Sequence, residues 1–247
     1  NIYNSPRSAM ATADLSAPLR QGAVLGSRFP KEFSKNFVES VKYFFKPDYY
    51  EREMYGITQR PNYNAMKSSK LAVKAADTLT GTEEDFVSNL LEGQTAKKLG
   101  FGYLVEASDR AYSGFLAKFR ADVFDKITGD LSKNGVTLDD KTISSLSKFI
   151  NSASGRGSGK YLDRHGDLLS QLLFSPKLWK SRIDTLNPAY YARLDPVARK
   201  YAMQSALTFA GTAASILGLA KMAGADVEDD PRSADFGKIK VGNTRYD

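Results

Sequence analysis

The run Gly155-Arg156-Gly157-Ser158-Gly159-Lys160 has the outline of a phosphate-binding loop. A Walker A loop cradles phosphates with backbone N–H groups, and it needs a glycine five residues before its last glycine and a hydroxyl residue after its lysine. This chain has Ser154 and Tyr161 at those two places, and no apolar strand precedes the run to carry it to a sheet edge. Residues 152–159 therefore read as a flexible Gly/Ser linker, with Arg156 and Lys160 as candidates for contact with phosphate or DNA backbone by charge alone. His165 is the chain's single histidine, and there is no cysteine. That excludes disulfides, thiolate nucleophiles and Cys-ligated zinc, and it argues against a His-based metal site or triad. A general base also needs a nucleophile or a pocket to serve, and none is legible around Asp163-Arg164-His165-Gly166. The carboxylates Glu83, Glu84 and Asp85, and Asp139 with Asp140, sit at predicted helix starts, where interaction with the helix dipole accounts for them. No catalytic, cofactor-binding or metal-ligating residue is assigned, and the chain reads as non-enzymatic, with no cofactor or small-molecule substrate.

The 35 basic and 28 acidic residues leave a net charge of +7, which suits contact with nucleic acid or an anionic surface. Both signs are scattered, so charge alone is weak guidance. Lys31, Lys35 and Lys42, interleaved with aromatic residues up to Tyr50, form the best DNA-binding candidate, although lysines beside a phenylalanine stripe are what any solvated helix face carries.

The elements that would position these residues are helical. Phe33, Phe37, Val41, Phe44 and Phe45 trace an apolar stripe from Pro30 to a break at Pro47, after which Asp48 is the expected cap. Arg60-Pro61 ends the following segment, a weaker helix is expected over 62–76, and Thr82 with Asp85 resembles a capping box before a loop near Gly93 and Gly100. The strongest amphipathic pattern covers 104–127, with Ala111, Phe115, Phe119, Val123 and Ile127 on one face. Arg110, Lys118, Arg120, Asp122 and Lys126 are its expected polar flanks, and Gly129 its expected end. Thr137 with Asp140 is the predicted cap of another helix. Ser175-Pro176, Asn187-Pro188 and Asp195-Pro196 repeat one device, an N-cap residue before proline at the first helical position. Gly224 is the predicted C-terminal cap of the last helix. Beyond an acidic link, Lys238 to Val241 alternates like a strand and Gly242-Asn243 reads as a turn, giving a hairpin cut off in its second strand.

Residues 201–220 carry no charge. The run is long enough to span a bilayer but rich in Ala, Gly, Ser and Thr, so it is either a buried central helix or a marginal membrane helix. Ala202, Ala206, Ala210, Ala214 and Gly218 recur every four positions and read as a packing stripe where another backbone approaches closely. The expected fold is all-α: a bundle of about eight to ten helices around one long apolar helix, with a short C-terminal β-hairpin. The expected division is a helical region over 1–151, the linker over 152–159, a second helical region over 160–224, and the acidic link with the truncated hairpin over 225–247.

Several phrases, Ser5-Pro6-Arg7-Ser8, Asp14-Leu15-Ser16-Ala17-Pro18-Leu19-Arg20-Gln21-Gly22, Arg60-Pro61-Asn62-Tyr63, Ala107-Ser108-Asp109-Arg110-Ala111-Tyr112 and Asp230-Pro231-Arg232-Ser233-Ala234-Asp235-Phe236-Gly237-Lys238, spread over nearly the whole chain. Together they resemble a module of the large polyvalent proteins of tailed bacteriophages, multi-domain chains packaged in the virion. The resemblance implies a structural or delivery role, with self-association or contact with portal, tail or internal virion proteins. It implies location in the virion and then in the host envelope or cytoplasm, and it transfers no catalytic residue. A membrane-conduit component inserted through 201–220 and a non-specific DNA-binding module are the alternatives.

Overall fold

The computed structural model describes residues 16–73, 101–157, 176–230 and 232–246. Proline opens most of the helices. Pro30 begins α2 (Pro30–Phe45), Pro47 begins α3 (Pro47–Thr58), Pro176 begins α7 (Pro176–Leu186), Pro188 begins α8 (Pro188–Ala192) and Pro196 begins α9 (Pro196–Met222). At the first helical position the missing N–H has no intrahelical partner to lose. The remaining helices among the described residues are α1 (Ser16–Arg28), α4 (Tyr63–Ser68), α5 (Phe101–Lys133) and α6 (Asp140–Ala153). Lys46, not Asp48, stands at the N-cap of α3, and α4 is a short helix followed by buried Leu71, Ala72 and Val73 rather than one reaching residue 76. Asp139 caps α6 by accepting the Thr142 N–H at 2.8 Å, the role expected of Thr137. Thr82, Asp85, Gly93, Gly100, His165, Lys160 and Ser175 lie outside the described residues.

The fold is helical with a C-terminal sheet, but the helix at its centre is α5. Ala111, Phe115, Phe119, Val123 and Ile127 are all buried, as their spacing predicts. Of the expected polar flank, Lys118 and Arg120 are buried too, Arg110 and Asp122 are half-buried, and Lys126 is exposed. Lys118 pairs with Glu53, and Arg120, 1% exposed, donates from Nε to Ser154 Oγ at 2.7 Å, from Nη2 to the Ser154 carbonyl at 3.0 Å and from Nη1 to the Ala72 carbonyl at 3.1 Å. Asp122 accepts from Arg60 at 2.6 Å and from Asn36 at 2.8 Å, while Asp125 accepts from Arg60 and Asn62 at 2.9 Å. These bonds tie α2 and the turn between α3 and α4 to α5. A helix can be enclosed despite its charges when each finds a partner. Gly129 does not end it; the chain continues to Lys133 and closes at Gly135, whose φ is +71°, with Val136 N–H donating to the Leu131 carbonyl at 3.0 Å. That is a Schellman end, and glycine suits its left-handed position.

Helix α2 meets α5 along Asn36, Ser40 and Tyr43, with Phe33 and Phe37 packed beside them. The Phe33 ring is T-shaped to Phe115 at 5.4 Å and to Phe119 at 5.6 Å. Val41 and Phe45, placed on the same stripe by sequence, are exposed. Winding decides the difference: each step of four residues turns about 40° past a full circle, so the buried face passes to Asn36, Ser40 and Tyr43 and leaves Val41 and Phe45 outside, while a Cβ at Gly114 of α5 would stand 2.7 Å from the Tyr43 ring.

The Gly/Ser stretch is no linker over its described part. Ser152, Ala153, Ser154, Gly155 and Gly157 are buried, Ser181 donates to the Ser152 carbonyl at 2.6 Å, and the Gly157 N–H donates to the Lys177 carbonyl at 3.1 Å. Small side chains here allow α6 and α7 to pack closely. At the C-terminal end β1 (Asp226–Val227), β2 (Ile239–Val241) and β3 (Thr244–Tyr246) form an antiparallel sheet in that order, with Asp226 opposite Lys240 and Ile239 opposite Tyr246. The expected hairpin is present, joined by a strand from the acidic link.

Candidate functional site

Helix α9 is anchored at both ends and bare between. At its start Asp195 Oδ1 accepts the Val197 N–H at 3.0 Å, and the Asp195 N–H donates to Ser145 Oγ at 2.8 Å. Arg199 folds back to donate to the carbonyls of Tyr191, Ala192 and Leu194 at 3.0, 3.0 and 3.1 Å, locking the turn from α8. Arg28 lies over the Tyr201 ring at 4.8 Å. Ala198, Ala202 and Ser205 are buried where α9 crosses α1 and α6, and Phe209 is the last of its residues packed on the core. At the far end Gly224 takes a φ of +86°, and the Ala225 N–H donates to the Ala220 carbonyl at 2.9 Å. Lys221 pairs with Asp229 of the strand region, and their hydrogen bond raises the lysine pKa and lowers that of the carboxyl. Gly224 thus caps the helix as its sequence predicts.

Between these anchors the helix has almost no cover. Of its most apolar eighteen residues only 11% are buried. Leu207 is 69% exposed and Met222 85%, and Met203, Ile216 and Leu219 are also exposed. The buried central helix expected for 201–220 is therefore corrected to a surface helix. Among the described residues, neighbours are supplied for its first turns and, at its end, by the small sheet.

The alanine stripe shows the geometry behind this. Each step of four residues turns an α-helix by about 40° past a full circle, so four steps wind by roughly 160°. Ala202 accordingly faces the core, 3% exposed, Ala206 is half-buried, and Ala210, Ala214 and Gly218 are exposed. A Cβ placed on Gly211 or Gly218 would meet nothing within 4 Å. The stripe is not one packing face of the folded chain.

The other candidates do not converge. Lys31, Lys35 and Lys42 are exposed on α2, and Lys42 pairs with Glu39 at 3.0 Å. Arg156 is half-buried after α6, on a different element, and its N–H donates to the Asn151 carbonyl at 2.8 Å. Among the described residues no three His, Asp or Glu side chains gather where they could hold a metal ion. Sequence reading passed over a second bare stripe, Trp179, Ile183 and Leu186 on α7, although their i, i+4, i+7 spacing could have revealed it. Met203 and Leu207, which the sequence places on faces other than the alanine stripe of a helix expected to be buried all round, are instead exposed.

No family model matches this chain, and neither does any curated protein or solved structure.

Proposed function

We propose that this chain is a non-enzymatic structural module of an internal or ejected bacteriophage virion protein, assembling with itself or with portal or tail proteins through the bare part of α9. One observation carries the reading: beyond Phe209 the uncharged run of α9 meets little of the described chain before the C-terminal sheet, and Leu207, Ile216, Leu219 and Met222 are in solvent. Exposed apolar surface of this extent on a folded chain marks an interaction site. The phage assignment comes from the sequence phrases of the polyvalent proteins, which bring no catalytic motif with them.

Membrane insertion through 201–220 is the second reading, favoured by the same exposure. It fits the geometry less well. Because Ala198, Ala202, Ser205 and Phe209 are docked, the free uncharged run is 210–220, about 16 Å of helix against a hydrocarbon thickness of ~30 Å. Crossing a bilayer would require undocking the first turns and carrying the acidic strand region through. Contact with DNA through Lys31, Lys35, Lys42 and Arg156 has no shared surface among the described residues in its support, and Lys160 lies outside them.

Sedimentation of the native chain beside a Leu207→Asp variant tests the proposal. The native chain is expected to associate, and the variant to lose association while unfolding within a few degrees of the native temperature, since Leu207 is 69% exposed. Association that ignores the aspartate would overturn the role of α9. Flotation of the native chain with liposomes would favour the membrane reading.

A further inference from the structure

Helix α9 carries a face complementary to itself when reversed. Met203, Leu207, Gly211, Ala214, Gly218 and Met222 follow one another at steps of four, four, three, four and four, which keeps them on one side of a helix, and all six are exposed. Large residues lie at the ends of this face and small ones near its middle. In an antiparallel pair centred between Thr212 and Ala213, Leu207 of one copy is level with Gly218 of the other, Gly211 is level with Ala214, and Met203 is level with Met222. Leucine over glycine lets the helix axes approach to the close end of the usual 8–10 Å.

The charges at the two ends agree with that register. Lys200 continues the same face one turn before Met203, is exposed, and has no carboxylate partner among the described residues. Reversal sets it level with Ala225 of the other copy, beside Asp226 and Asp229, both exposed and paired at their other side with Lys240 and Lys221 of their own chain, in the acidic stretch that also holds Glu228 and Asp230. In a parallel pair Lys200 would instead meet another Lys200, and the acidic ends would meet each other. Antiparallel pairing also sets opposite ends of the helix dipoles side by side. Every contact is made twice, as a two-fold interface requires.

We infer that the occupant of this face is a second copy of the same chain, packed antiparallel through Met203, Leu207, Gly211, Ala214, Gly218 and Met222, with Lys200 of each copy against Asp226 and Asp229 of the other. This rests on the reading of α9 as an assembly surface and adds partner, direction and register to it.

The absence of cysteine makes disulfide trapping a direct test. Met203→Cys and Met222→Cys chains are prepared separately, each at an exposed position, and oxidised alone or mixed. A disulfide needs Cα atoms within about 7 Å. In the antiparallel pair two copies of residue 203 stand roughly 28 Å apart along the axis. Each variant alone is therefore expected to stay uncrosslinked, and the mixture to give a disulfide-linked dimer on a non-reducing gel. Lys200→Glu should weaken association several-fold, and adding Asp226→Lys should restore it. A dimer from Met203→Cys alone, no dimer from the mixture, or a native chain that sediments as a monomer would each overturn the inference. If the mixture fails while association still depends on Leu207, the arrangement is wrong and α9 remains the assembly surface.

Discussion

Asp109 lies on the first turns of α5, where burial opposes its ionised form and raises its pKa to about 6, with neighbouring Arg110 acting in the other direction. An unfolded aspartate titrates near 3.9, so the folded chain holds this proton more tightly. The resulting stabilisation is present in full below about pH 4 and is lost as pH rises through about 6. Asp109→Asn removes the dependence. The variant is expected to match the native chain near pH 4 and to exceed it at pH 7 by on the order of 1 kcal/mol, with solvent reducing the full effect. Urea midpoints at the two pH values measure this, and equal differences at both would contradict it. Arg120 shows the opposite arrangement. Its guanidinium is out of water, but the Ser154 hydroxyl, the Ser154 carbonyl and the Ala72 carbonyl receive its N–H groups. Nothing in the residue types marks one position on α5 for burial with partners and another for solvent; Lys118 and Lys126 look alike in sequence, and only the second is exposed.

At the scale of elements, the same residue type carries opposite consequences along α5. A methyl added at Gly129 would meet nothing within 4 Å, while one added at Gly114 would press on the rings of Tyr43 at 2.7 Å and Tyr50 at 2.9 Å. Alanine is favoured over glycine within a helix by about 1 kcal/mol. Gly129→Ala is therefore expected to stabilise by roughly 0.5–1 kcal/mol. Gly114→Ala should destabilise by about 1–2 kcal/mol, because overpacking against α2 outweighs the helical gain. Chemical denaturation of the two variants separates these signs. Most helix starts were legible, since proline at the first turn and Asn187 or Asp195 before it act locally. Ends were less so. Gly129 and Gly135 are equal as residues, but the left-handed turn comes at Gly135, where hydrogen bonds back to Ser132 and Leu131 close the helix. The strand β1 was read as an acidic link because two residues carry no period. Pairing with β2 makes it a strand.

For the whole molecule, the main consequence lies in which long helix is enclosed. The core of the charged α5 is enclosed by its own chain, and the uncharged run of α9 is left largely at the surface. The five residues of the four-residue stripe on α9 are therefore unequal. Ala202→Leu is expected to cost about 1–3 kcal/mol of folding stability, since that side chain is buried against α1 and α6. Ala214→Leu is expected to leave the unfolding midpoint within about 0.5 kcal/mol of native and to weaken association instead. Thermal unfolding and sedimentation of both variants read the two effects separately, and a destabilised Ala214→Leu chain would contradict the surface placement of α9.

By itself the sequence determined the helical class, the proline-opened helices, the buried stripe of α5, the Gly224 cap and the C-terminal hairpin, because each depends on period or on bonds within a few residues. Tertiary structure alone decided the centre of the molecule. Burial of Arg120 required Ser154 and Ala72 from distant segments, and exposure of Leu207 followed from the lack of a facing element among the described residues. A composition that permits burial does not bring a neighbour, and the winding of a four-residue repeat carries the alanines of α9 from the core into solvent.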